Sequence, residues 1–110
     1  ILTQRGLLIL TTPNPCSLGA KIKGGDWFGL RDPTHTQIRV PCQWKELLET
    51  CGFTVARDGT DAPWDSPYFQ LIPAFIQNVL FKALSHFLIW SHGFYPWNLG
   101  ENYACIAQKQ

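Results

Sequence analysis

The chain has 110 residues, enough for one small domain, and nine basic against eight acidic side chains leave a formal net charge of +1. No basic block or stripe breaks that balance, so charge gives no reason to expect nucleic acid as a partner. Aromatic residues make up 14% of the chain, which points to a dense core, a bulky apolar ligand or a partner surface. Cys16, Cys42, Cys51 and Cys105 form no Cys-x-x-Cys pair and match no zinc spacing, so no metal site is expected. Four free thiols in the reducing cytoplasm are expected, since the first residues show neither the n-region nor the h-region of a signal peptide.

The first predicted strand covers residues 7–10, where Leu7-Leu8-Ile9-Leu10 runs without polar alternation. A strand apolar on both sides is expected inside a sheet covered on both faces. Thr11-Thr12-Pro13-Asn14-Pro15 ends it, because proline removes ladder donors and forces a loop. In α/β sheets ligands sit at the loop beyond the carboxyl end of such a strand. Little sequence precedes this strand to flank it, so residues 1–110 are expected to form the back part of a larger domain. Residues 14–25 read as a loop with one or two helical turns. Asp26 to His35 then gathers two aromatics, two carboxylates, an arginine and a histidine, with Asp32-Pro33 as a turn. A long loop of that content is more often functional than decorative.

Residues 41–51 form the clearest helix. Trp44, Leu47, Leu48 and Cys51 repeat at i, i+3, i+4 and i+7, giving one apolar stripe, while Lys45, Glu46 and Glu49 face water. Pro41 suits the first helical position, and Gly52 followed by Phe53 suits a left-handed stop with its hydrophobic contact. Residues 53–58 read as a second strand, and strand, helix, strand implies a parallel pair with a right-handed crossover. Residues 59–67 are a loop. Residues 68–90 are apolar apart from a narrow polar stripe at Asn78, Lys82 and Ser85 or His86, and form one helix or two. Polar residues recur too often for a transmembrane span; burial against the protein or a second subunit is expected, with an interfacial membrane helix as the alternative. Residues 91–100 are a loop holding His92, Tyr95, Pro96 and Trp97, and residues 102–108 alternate as a final strand.

In combination these pieces resemble class I S-adenosylmethionine-dependent methyltransferases. Gly6-Leu7-Leu8-Ile9-Leu10-Thr11-Thr12-Pro13-Asn14-Pro15 is similar to that family's late Gly-Gly-apolar-Thr-Pro-Asn segment. Trp27-Phe28-Gly29-Leu30 with Asp32-Pro33-Thr34-His35 resembles the loop that follows it in one branch. Leu47-Leu48-Glu49-Thr50-Cys51-Gly52-Phe53 resembles the Leu-Leu-x-x-x-Gly-Phe unit, and the stretch from Glu101 to Lys109 resembles the last strand. The resemblance implies an α/β fold: a partial Rossmann-like methyltransferase domain over residues 1–110. Its three-stranded mixed sheet would have the last strand antiparallel between the other two, and residues 61–100 would be a helical insertion or substrate cover. The family's glycine-rich cofactor loop and ribose-binding acid have no counterpart, since Gly24-Gly25 is not a Gly-x-Gly-x-x-Gly fingerprint. The complete enzyme would use S-adenosylmethionine, but the chain alone is expected to bind no cofactor and to be inactive.

Methyl transfer requires an aligned nucleophile and often a base. His35 is the candidate catalytic base, against a role confined to hydrogen bonding in its loop. Asp26 and Asp32 either orient His35 or hold the loop. Thr12 and Asn14 lie where the first strand would meet ligand. Trp27, Phe28, Trp64 and Tyr68 either line an apolar acceptor pocket or fill the core. His86 and His92 read as structural or surface groups. The acceptor implied is a small apolar molecule, as in enzymes similar to the quinone-biosynthesis O-methyltransferases. The reading from another class is a non-catalytic module that dimerises, or docks a partner such as a missing N-terminal half, through an exposed strand edge and the apolar helix.

Overall fold

The computed structural model describes residues 2–92 and 99–110. Its α/β architecture rests on one sheet, in which β1 (Leu7–Pro13), β2 (Phe53–Thr60) and β3 (Asn102–Lys109) lie in the order β1-β3-β2. The last strand sits in the middle, antiparallel to both neighbours. β1 and β2 therefore point the same way, but they share no ladder and do not form the adjacent parallel pair expected from strand, helix, strand. Both ladders are antiparallel, so the sheet is not mixed in its hydrogen bonding. The register puts Thr12 and Thr60 opposite Tyr103, so the carboxyl ends of β1 and β2 meet at the start of β3.

Alternation along β3 defines two unlike faces. Tyr103, Cys105 and Ala107 are buried, and α3 (Pro41–Thr50) covers them through Leu48 and the half-buried Trp44. Leu8, Leu10, Phe53 and Val55 complete this core. Pro41 opens α3, and Gln43 Oε1 accepts from the Val40 amide at 3.1 Å, filling one donor of the first turn. Gly52 takes the left-handed conformation that stops the helix, at φ 82°. Lys45 is partly solvated, as expected, and its ammonium also pairs with Asp58 on the sheet at 3.3 Å.

The other face is open among the described residues, so the first strand is not covered on both faces by the described part of this chain. Leu7 is 61% and Ile9 71% exposed, and β1 is an edge strand. Its apolar run signals two faces able to be buried, whereas the chain brings a helix to only one of them. The strand also runs on to Pro13, because an edge position needs no outward donor from proline.

Beyond Asn14 the chain forms two short helices, α1 (Leu18–Lys23) and α2 (Phe28–Arg31), joined by a 3-10 turn at Gly24–Asp26. Ser17 caps α1, its hydroxyl accepting from the Ala20 amide at 3.0 Å. Residues 68–90 resolve into an irregular stretch and one helix, α4 (Ala74–His92). The helix turns a stripe of Gln77, Phe81, Ser85 and Leu88 inward, at spacings of four, four and three. Gln77, Ser85 and Leu88 are buried, while Phe75, Val79, Leu80, Phe87 and Trp90 face out. The outer side of the apolar helix is thus not covered by the other described residues, so of the two expected modes of burial the one within the protein is met only by its inner stripe. No helix among the described residues is long and apolar enough to cross a membrane. Most of the expected loop at 91–100, including the His92 side chain, Tyr95, Pro96 and Trp97, lies outside the described residues.

Candidate functional site

The segments leaving the carboxyl ends of β1 and β2 converge on Glu101, the residue that precedes β3. Its side chain is fully buried and takes hydrogen bonds from the Trp27 indole at 2.7 Å, the Tyr68 hydroxyl at 2.5 Å and the Ser17 hydroxyl at 3.2 Å. Three donors from three loops meet one carboxylate, an acceptor-only group that can serve them all. Gly19 makes room for it: a Cβ there would lie 2.4 Å from Glu101 Oε1. The Tyr68 hydroxyl also accepts from the Asp65 amide at 2.9 Å. Burial, together with the Glu101 carboxylate it donates to, pushes the Tyr68 phenol well above its usual pKa.

Around this carboxylate the backbone is closed by side chains. Asn14 donates through Nδ2 to the Gly100 carbonyl at 3.0 Å, while its Oδ1 accepts from the Cys16 amide at 3.0 Å. Asp61 binds both the amide and the side-chain Nδ2 of Asn102 at 2.8 Å, and accepts from the Trp64 indole at 2.8 Å. Burial raises the Asp61 carboxyl pKa despite these donors. Gln77 ties α4 to the same region. Its Oε1 accepts from the Tyr68 and Phe69 amides at 2.7 and 2.9 Å, and its Nε2 donates to the Phe69 and Ile72 carbonyls at 2.6 Å each.

Two open cavities flank the cluster. One, of about 420 Å³, is lined by Lys23, Asp26, Phe28, Arg31, Asp32 and Asp65. The other, of about 510 Å³, lies between the 61–67 loop and α4, with Trp64, Lys82, His86 and Ile89 in its wall. Both volumes fall in the range of small-molecule sites. The Phe28 ring of the first and the Trp64 ring of the second meet at 4.9 Å, which joins the two walls. Ser66 and Asn78, hydrogen-bonded at 2.6 Å, fasten the loop to the helix. Lys82 has no hydrogen bond or ion pair among the described residues.

The sequence-derived candidates divide among these places. Asn14, Trp27 and Tyr68 are buried structural members of the Glu101 cluster, so for Trp27 and Tyr68 the core alternative holds. Phe28, Trp64 and Asp26 reach the cavities. Thr12 is half-buried on the covered face of the sheet, opposite Tyr103 and away from both cavities. His35 is half-buried, with its ring edge-on to Phe28 at 6.2 Å and Nδ1 3.2 Å from the Gly29 carbonyl. A carbonyl only accepts, so the neutral ring carries its proton on Nδ1 and leaves the Nε2 lone pair free. The Asp32 carboxylate lies 3.8 Å from Nε2, beyond hydrogen-bond distance. The Thr34 hydroxyl and amide hold the Asp32 carboxyl below its usual pKa, which makes Asp32 a turn residue first.

Glu101 and Gln77 escaped the sequence reading. Each had one faint signal: a lone acid beside Gly100 at the head of a strand, and a lone amide on a stripe shared with Phe81 and Leu88. No group of three or more metal-ligating side chains exists among the described residues, and all four cysteines are free thiols. The chain matches no protein-family model, and no curated protein is similar enough to it to count as a relative.

Proposed function

We propose that the chain is the C-terminal, substrate-side portion of a cytoplasmic S-adenosylmethionine-dependent methyltransferase acting on a small apolar acceptor. The observation that carries this reading is the strand order. A final strand inserted antiparallel between two strands that point the same way is the arrangement the sequence resemblance implies. The outer edge of β1, unpaired with any strand among the described residues, is where further strands of a Rossmann-like sheet would add. The Phe28 and Trp64 rings, which line the two cavities and meet at 4.9 Å, suit an apolar acceptor.

In this reading S-adenosylmethionine is held by sequence other than this chain, because the glycine-rich loop and ribose-binding acid of the resembled family have no counterpart here. In the Glu101 cluster the buried polar side chains already satisfy one another, and the buried side-chain atoms without a partner, Arg39 Nε and Trp44 Nε1, lie elsewhere. What the chain contributes is acceptor shape and a base: His35 Nε2, its ring set by Gly29 and Phe28, takes the proton of an acceptor hydroxyl.

The test is the complete reading frame that contains this segment. It should encode a glycine-rich strand-turn-helix ahead of Ile1, and its product should transfer a labelled methyl group from S-adenosylmethionine to a phenolic or quinol acceptor. His35→Asn should lower the rate constant for transfer about 10²- to 10⁴-fold, with the fold intact. A folded product that transfers no label to any such acceptor overturns the proposal.

A further inference from the structure

The narrow polar stripe of α4 coincides with a cavity. Asn78, Lys82, Ser85, His86 and Ile89 fall within about 100° of arc around the helix. All five line the space of about 510 Å³ that Trp64 and Ser66 bound from the other side. Lys82 is the only formal charge on α4, so the one charge of an otherwise apolar helix stands in this wall. The donors there lack acceptors. The Ser66 hydroxyl donates to Asn78 Oδ1 at 2.6 Å, which leaves Asn78 Nδ2 with both hydrogens. The Lys82 ammonium has no partner among the described residues, and no carboxylate among them lines the cavity. Both acids of the 61–67 loop are engaged, Asp61 by Asn102 and the Trp64 indole, Asp65 by Lys23. The cavity beside Phe28 differs: its two cations, Lys23 and Arg31, share a wall with three carboxylates, so nothing there calls for an anion.

The geometry points to a binding site for an aromatic acid, with its ring against Trp64 and its carboxylate on the Lys82 ammonium and Asn78 Nδ2. The Trp64 ring is fixed by its N–H to Asp61 at 2.8 Å and by the Phe28 ring at 4.9 Å, yet it remains 43% exposed. A fixed, open indole is a stacking surface, because offset rings attract one another beyond the area they bury. Ile89 adds apolar wall on the helix side. One ammonium and one amide match a singly charged carboxylate, whereas a phosphate group brings nearly twice the charge. That the acid is also the methyl acceptor rests on the methyltransferase reading; its binding does not.

Calorimetric titration of the whole protein with 2-naphthoate tests the site. Binding is expected with a Kd of about 1 mM or tighter. The neutral 2-naphthamide should bind at least about tenfold more weakly. Lys82→Met should lower the affinity for 2-naphthoate to that for 2-naphthamide and leave the latter unchanged, while Lys82→Arg should keep the preference for the acid. Neither acetate nor inorganic phosphate, in about hundredfold excess, should displace 2-naphthoate. Lack of 2-naphthoate binding by wild-type protein that unfolds cooperatively overturns the inference, and so does equal affinity for the amide. An unchanged affinity in Lys82→Met, or displacement by acetate or phosphate, overturns it as well. Binding of 2-naphthoate by a protein that transfers no methyl group upholds the site and removes the methyltransferase reading. Methyl transfer to a neutral phenol without 2-naphthoate binding does the reverse.

Discussion

Around Glu101 polar groups are buried and every donor has been met, whereas on α4 large apolar side chains stand in water while an amide and a hydroxyl face inward. The two regions are held by opposite means. Trp27, Asn14 and Ser17 are close to fully enclosed and bonded to the loop that precedes β3. α4 is attached through the four hydrogen bonds of Gln77, the Ser66–Asn78 bond at 2.6 Å, the Ser85 hydroxyl 3.4 Å from the Pro63 carbonyl, and the Phe81 ring edge-on to Tyr68 at 4.9 Å. Apart from Phe81 and Leu88, hydrophobic burial, the main driving force in most folds, does little to place this helix. An element placed by a few directional bonds has a defined position but a small number of weak points. The Glu101 cluster combines both means, and its failure should spread to all three loops it joins.

The largest effect is expected at that junction. Trp27→Ala removes a side chain that is 1% exposed and takes one donor from a buried carboxylate. A loss of about 3–5 kcal/mol is expected from the cavity alone, read as a lowered denaturant midpoint. Trp27→Phe keeps most of the volume, so it should recover the packing share and leave the share that belongs to the hydrogen bond. On the α4 side, Gln77→Leu keeps the size but frees two amides and two carbonyls at residues 68–72. A loss of about 2–4 kcal/mol is expected. Hydrogen exchange should localise it: the Tyr68 and Phe69 amides should lose protection while the β1–β3 ladder keeps its own. Equal loss of protection in both places would mean that the two regions are one cooperative unit.

The contrast also explains what could be read from the sequence. α3 was legible because its signals are local: Pro41 at one end, Gly52 at the other, and an apolar stripe between. The last strand was legible from its alternation. The position of β3 between β1 and β2 came from the family resemblance, since alternation alone assigns no neighbours. The Glu101 cluster was half legible: Asn14, Trp27 and Tyr68 were singled out, but not the residue they surround. Glu101 meets its partners across 84, 74 and 33 residues, and no local pattern records such a pairing. What would cover the exposed sides of β1 and α4 was not legible, for a related reason. Apolar runs state what can be buried, while what buries them depends on neighbouring surface that the run does not encode.

Alkaline pH separates the regions more gently. Tyr68 in the cluster and Tyr103 in the sheet both hold their phenolic protons more tightly than a free tyrosine, chiefly through burial. Each contributes stability that is complete below the unfolded value near 10 and is lost as pH climbs from there toward the folded value. Tyrosinate absorbance should therefore stay low past pH ~10 in the native protein and rise together with loss of the fold. Tyr68→Phe should remove part of this alkaline sensitivity. If the tyrosinate signal rises near pH 10 while the fold persists, the Tyr68 and Tyr103 hydroxyls are not enclosed as described.

The smallest effect lies at the edge of the covered face, where Lys45 and Asp58 pair with side chains 43% and 30% exposed. Half-solvated pairs contribute little, so Lys45→Gln should cost less than about 1 kcal/mol, and the cost should vanish in about 1 M salt as screening removes it. Asp58 does a second job, because its Oδ2 accepts from the buried Tyr103 hydroxyl at 3.2 Å. Asp58→Ala should therefore cost about 1–2 kcal/mol more than Lys45→Gln, and that excess should persist in salt. The difference between the two variants then isolates a single buried hydroxyl on the side of the molecule where α3 closes the sheet. If salt erases both costs equally, Tyr103 finds another acceptor, and the sheet face is wetter than its burial implies.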